Sequence, residues 1–125
     1  MAWSNVADVG TALHFLEPRN AALVIDAWHI FRGGAPLVDL ARIPADRVSC
    51  IQVSDAAGAV QGALADDTRR RLFCGEGVFD LAAFFKATER FDVPLSVEII
   101  SEAVMRMPLA EAARISCETA RRLVR

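Results

Sequence analysis

The chain has 125 residues, a length that suits one domain. Its 54% of apolar residues can fill a core, which excludes a disordered chain, and its net charge of -2 excludes the basic footprint of a nucleic-acid binder. No apolar stretch approaches a membrane span, and the opening Met-Ala-Trp-Ser-Asn-Val lacks the regions of a secretory leader.

Ser4 or Asn5 is placed to cap a first helix with Val6, Val9, Leu13 and Leu16 on one face. Pro18 ends it, and residues 17–20 form a turn. His14 lies inside this helix, where a surface or packing role accounts for it. The run Ala22 to Ile25 reads as a strand buried on both faces. It ends at Asp26, whose carboxylate cannot be buried alone. Asp26 therefore either enters a polar site at the strand mouth or caps a following turn. A loop carrying Trp28, His29 and Arg32 comes next, punctuated by Gly33-Gly34 and Pro36. Leu37, Val38, Leu40 and Ala41 make a short helix that stops near Pro44.

The second strand, Val48 to Ser54, ends at Asp55 and holds a large polar amide, Gln52. Residues 56–77 are a long connection with the basic run Arg69-Arg70-Arg71, and connections of this length are functional or mobile. Asp80 caps a helix in which Leu81, Phe84, Phe85 and Thr88 recur at helical spacing, which assigns both phenylalanines to the core. The third strand, Leu95 to Ile100, is interrupted by Glu98 as the second is by Gln52. After a looser segment the last helix runs from about Leu109 to Leu123, and its terminal arginines complement the helix dipole. The cysteines, 50, 74 and 117, are odd in number and have no metal-type spacing, so reduced thiols in a cytoplasmic protein are expected. Cys50 and Cys117 read as core filler.

Strands separated by helices are parallel. The expected fold is α/β, about three parallel strands alternating with four helices in one domain over residues 1–125. Chemistry in such folds gathers at the carboxyl ends of the strands. Asp26, Gln52 and Glu98 each lie in or at the end of a different strand, and neighbouring strands stand about 4.8 Å apart, so the three side chains can meet. Oxygen donors of this kind suit Mg²⁺ or Mn²⁺, with Co²⁺ or Zn²⁺ if an imidazole joins. Singly, each has a plainer explanation: a turn cap for Asp26, a strand hydrogen bond for Gln52, an arginine pair for Glu98. Together they would be three separately costly intrusions.

Asp-Ala-Trp-His at 26–29, Gln-Val-Ser-Asp at 52–55, Gly-Glu-Gly at 75–77 and Ser-Val-Glu at 96–98 resemble the last three strands of the sugar phosphate isomerase/epimerase family, which has the xylose isomerase-like TIM barrel. The resemblance runs from about Val6 to Leu123. It implies the C-terminal part of a (β/α)8 barrel. It implies a divalent metal held by Asp26, Gln52 and Glu98, with Glu98 also the general base and His29 on a substrate oxygen. Arg32 or one of Arg69 to Arg71, Arg71 first among them, would bind a phosphate or carboxylate, and a solvated basic loop is the plainer reading of that run. Gln52 stands where sugar epimerases carry histidine, which resembles the 3-dehydroshikimate dehydratase branch. The family's further glutamate ligand has no counterpart here, and Cys74 replaces a proline. The implied substrate is a sugar, sugar phosphate or keto acid.

Barrels of this class close with eight strands in about 250 residues. The chain is therefore expected to be a C-terminal fragment or to be completed by another chain. A non-catalytic half-barrel is the alternative to an enzyme, and a small open flavodoxin-like sheet is the alternative fold.

Overall fold

The computed structural model describes residues 6–16, 20–60 and 62–124. Helix α1 spans Val9–His14, and Asp8 caps it by accepting from the Thr11 backbone N–H at 2.8 Å. The cap expected at Ser4 or Asn5 and the turn at 17–19 lie outside the described residues. Strand β1 is Leu23–Asp26, and helix α2 follows at once as Ala27–Gly33. The segment carrying Trp28, His29 and Arg32 is thus a helix and not the expected loop. Asp26 starts it by accepting from the Trp28 N–H, and Gly34 ends it at φ 67°, a conformation that glycine takes without a Cβ clash.

A 3-10 segment at Leu37–Arg42 and a second at Ala45–Arg47 lead into β2, Val48–Val53. Helix α3 is a single turn, Leu64–Asp67. Helix α4, Leu81–Thr88, begins where expected, with Asp80 accepting from the Ala83 N–H. Strand β3 is Leu95–Val97, a 3-10 turn covers Val104–Arg106, and α5 runs Leu109–Leu123.

The strands form one parallel sheet in the order β1-β2-β3. Ile25 pairs with Ile51, Ile51 with Leu95, and Val53 with Val97. Paired residues face the same side, so Ile25, Ile51 and Val53 lie together on the helix-covered face. There they join Leu40, Ile43, Leu81, Phe84, Phe91 and Ala120 in the core. Phe84 is fully buried, and burial of a side chain of that size contributes about 2–3 kcal/mol. The opposite face carries Val24, Cys50, Asp26, Gln52 and Ser96, by the same register. It is half open, and Val24 is 52% exposed. The expectation of a strand buried on both faces is therefore corrected: on its second face β1 is covered at Asp26 and open at Val24.

The long connection is tied down rather than loose. Asp55, 1% exposed, accepts from the backbone N–H of Ala56 and Phe79 with Oδ1 and of Gly75 with Oδ2. Its backbone forms an antiparallel bridge with Leu72, and Arg70 forms another with Ser101. The third strand is shorter than its sequence pattern because its chain changes partner: Glu98 still donates to the Val53 carbonyl, whereas Ser101 pairs with the 69–72 segment. Cys117, expected as core filler, is exposed on α5; Cys50 is half-buried.

A Cβ at Gly77 would overlap the Ala56 carbonyl oxygen and Asp55 Oδ1, whereas one at Gly58 meets only Val78 Cγ1 at 3.6 Å. Gly77→Ala is expected to lose about 2–3 kcal/mol in urea unfolding, and Gly58→Ala to stay within about 0.5 kcal/mol of the parent. Equal midpoints would show that the Asp55 turn has slack. Burial, with the nearby Asp55 charge, pushes the Cys74 thiol up to about 11. Mass spectrometry after iodoacetamide treatment should find Cys117 modified first and Cys74 spared until unfolding. Labelling of Cys74 as fast as Cys117 would contradict its burial.

Candidate functional site

The site lies at the carboxyl ends of the strands on the half-open face. Asp26 closes β1, Gln52 is in register beside it on β2, and Ser96 is in register beside Gln52 on β3. Glu98, two residues beyond Ser96, returns to the same side by strand alternation. The expected triplet of Asp26, Gln52 and Glu98 therefore shares one face and one end of the sheet.

Both carboxylates close on a single cation. Arg71 Nη1 donates to Asp26 Oδ2 at 2.9 Å, to Glu98 Oε2 at 2.7 Å and to the Glu98 carbonyl at 3.2 Å. The guanidinium is 1% exposed. On its far side Nε and Nη2 both donate to Thr68 Oγ1 at 3.2 Å, and Cζ lies 5.1 Å from the centre of the Trp28 ring. The 69–72 segment delivers Arg71 here: Arg71 N–H donates to the Ile100 carbonyl, between the two antiparallel bridges.

Asp26 serves two purposes at once. Oδ1 caps α2 through the Trp28 N–H, and Oδ2 faces Arg71. The alternatives of turn cap and polar site are both realised, because the two oxygens point to different partners. Glu98 is only partly covered, 35% exposed. Burial and the hydrogen bond it shares with Asp26 raise its pKa, and the Arg71 charge opposes them. His29 sits one helical turn from Asp26, with Nε2 3.9 Å from Oδ2, and is set edge-on to Trp28. Burial lowers its pKa against the pull of Asp26, which favours the neutral imidazole. Gln52 is half-buried at the centre of the row.

Of the arginines expected to bind an anion, Arg71 is in the site. Arg32 is engaged elsewhere: Nε donates to Asp67 Oδ2 at 2.8 Å, Nη2 to the Ala57 carbonyl at 2.6 Å, and its guanidinium lies over the Phe79 ring. Sequence reasoning missed Thr68 and Trp28 as the groups that hold Arg71. The signal for Trp28 was its position two residues beyond a strand-ending aspartate, which a helix turns back over the strand mouth. Thr68 carried no such signal. Among the described residues no three His, Cys, Asp or Glu side chains gather as a metal cluster; the third donor type on this face is an amide.

The model of the xylose isomerase-like TIM barrel family matches residues 3–123. Among solved structures, the IolI protein with a bound zinc atom is similar with a TM-score of 0.83 and 22% identity, over 95% of this chain and 44% of that one. A xylose isomerase domain protein from Alicyclobacillus acidocaldarius has a TM-score of 0.70 and 26% identity, over 92% and 42% of the two chains. A xylose isomerase domain-containing protein from Salmonella typhimurium LT2 has a TM-score of 0.75 and 14% identity, over 95% and 46%. The chain thus spans less than half the length of these proteins. No curated protein sequence matches it.

Asp26→Asn keeps an oxygen for the helix cap but removes a charge from a buried ion pair. It is expected to lower unfolding free energy by about 3 kcal/mol, read from urea midpoints. A loss below about 0.5 kcal/mol, the range of surface substitutions, would show that Glu98 alone satisfies Arg71.

Proposed function

The chain belongs to the xylose isomerase-like TIM barrel family, and on that footing we propose that it carries the metal and acid–base face of a sugar or sugar phosphate isomerase or epimerase. The observation that supports this is the convergence of Asp26 and Glu98, from the mouths of β1 and β3, on one cationic nitrogen. Two carboxylates that gather a cation, with a glutamine on the intervening strand, are a fitting donor set for a divalent ion such as Mn²⁺ or Mg²⁺. Co²⁺ or Zn²⁺ is the choice if His29 joins; zinc is the ion bound in the similar IolI structure. Such an ion supplies Lewis-acid polarisation of a carbonyl oxygen when bound.

In this reading Asp26, Gln52 and Glu98 hold the metal. Glu98 takes a proton from the carbon beside the substrate carbonyl, and the electron pair of that C–H bond passes into an enediolate. Return of the proton to the adjacent carbon gives the isomer. Return to the same carbon from the other side gives the epimer and needs an acid on the opposite face. Neutral His29 donates a hydrogen bond to a substrate oxygen. Arg71, beside the carboxylates, binds a phosphate or carboxylate once a substrate competes for it. A further chain segment, or another chain, covers the free edges of β1 and β3 and completes the barrel. The setting is a reducing one, the cytoplasm, in keeping with three unpaired thiols.

A second reading has its own observation. Arg71 already compensates both carboxylates, as it would in a half-barrel without metal chemistry.

The separating experiment is proton exchange in D₂O. With Mn²⁺ and a keto-sugar or its phosphate, NMR should show deuterium entering beside the carbonyl, and Glu98→Gln should slow this by about 100-fold. Equal exchange in the variant removes Glu98 as the base. Absence of exchange by the parent chain favours the second reading.

A further inference from the structure

The position of Arg71 has a consequence for how the site takes up a metal. Two ionised carboxylates and one guanidinium leave one net negative charge among the three groups. Adding a divalent ion beside Arg71 would leave one net positive charge next to a side chain that is 1% exposed. Exchanging the guanidinium for the ion leaves none, and burial disfavours uncompensated charge. The donor atoms say the same: Nη1 contacts both Asp26 Oδ2 and Glu98 Oε2, the same oxygens a shared metal would use.

We propose that Arg71 is a built-in counter-cation of the Asp26–Glu98 pair, and that a divalent metal binds by displacing its guanidinium. The inference rests on the metal reading above and adds a positioning role for Arg71 within it. The grip on Arg71 suits displacement. Its strong bonds run through Nη1 alone, while its other side is held by two 3.2 Å bonds to one hydroxyl, Thr68, and by the face of Trp28. Glu98, one of its two carboxylate partners, is 35% exposed, so solvent reaches the pair at the glutamate. The displaced arginine stays at the mouth of the site, because its backbone is fixed to Ile100 and bracketed by the bridges at Arg70 and Leu72.

The exchange lowers metal affinity by the fraction of molecules in which the guanidinium is out. If that fraction is about one tenth, the apparent affinity falls about tenfold. Mn²⁺ titration calorimetry should therefore find Arg71→Met binding about tenfold tighter than the parent, with a larger Mn²⁺-induced rise in Tm. Thr68→Val, which keeps the charge and loosens its anchor, should shift affinity the same way by a smaller factor. It serves as the test where Arg71→Met does not fold. In a Trp3→Phe background, saturating Mg²⁺ should change the emission of Trp28 as the cation leaves its ring. Two results overturn the inference while leaving the metal reading intact. One is binding of Mn²⁺ by the arginine or threonine variants no tighter than by the parent. The other is metal binding by the parent with Trp28 emission unmoved. Absence of Mn²⁺ binding in parent and variants alike overturns the metal reading itself, and the exchange with it.

Discussion

One guanidinium holds the mouth of this sheet together. Asp26 and Glu98 sit on strands that flank β2, close enough to share a hydrogen bond. When both carboxylates are ionised they repel each other, and that repulsion is offset by a cation between them. Arg71 supplies it and bridges β1 to β3 across the strand that separates them. Arg71 in turn depends on the 69–72 segment, and that segment depends on the Asp55–Leu72 bridge. The polar site therefore rests on the folding of a connection more than a dozen residues from either carboxylate in sequence.

Asp26 and Asp55 make an instructive pair. Both are buried, and both stand at the carboxyl ends of neighbouring strands. Asp55 directs its carboxylate entirely at backbone N–H groups, of Ala56, Gly75 and Phe79, and so fixes a turn. Asp26 gives only Oδ1 to the backbone and keeps Oδ2 for side chains. The same residue type at the same place in a βα unit is architectural in one case and chemically available in the other. What separates them is whether the following chain turns back as a helix, which needs one cap, or as a wide loop, which needs several.

Much of this was legible in the sequence. The apolar runs ending at Asp26 and Asp55 located two strands, and the period of Leu81, Phe84 and Phe85 located α4 with its Asp80 cap. That Asp26, Gln52 and Glu98 could meet followed from their places on three different parallel strands, and the register puts Asp26 beside Gln52. Helix α2 was not legible, because glycines close behind Trp28 and His29 read as loop signals when they in fact end a seven-residue helix. The partner of the carboxylates was not legible either. Arg69, Arg70 and Arg71 are indistinguishable by composition, and only the alternation of the antiparallel bridges turns Arg71 inward while Arg69 stays exposed against Glu102. Burial on both faces was expected of β1 because an apolar run does not say how many layers cover it. In this chain the second face is open at Val24.

The division between rigid and adaptable groups bears on the proposed chemistry. Removal of a proton beside a carbonyl needs a base held in place and a positive charge near the developing oxyanion. In the proposed reading the carboxylates that would act as base and hold the metal stand at strand ends, where register holds a side chain more firmly than a loop can. The fate of the resulting enediolate is a different matter. Reprotonation at the neighbouring carbon, reprotonation from the far side and loss of a β-hydroxyl all begin with the same step. They diverge according to which acid stands opposite Glu98 and how the substrate's distal group is held. Those determinants fall to long, repositionable side chains such as Arg71 and to whatever covers the half-open face. One set of strand-borne carboxylates can thus serve isomerase, epimerase or dehydratase chemistry, with selectivity set by the groups that close over it.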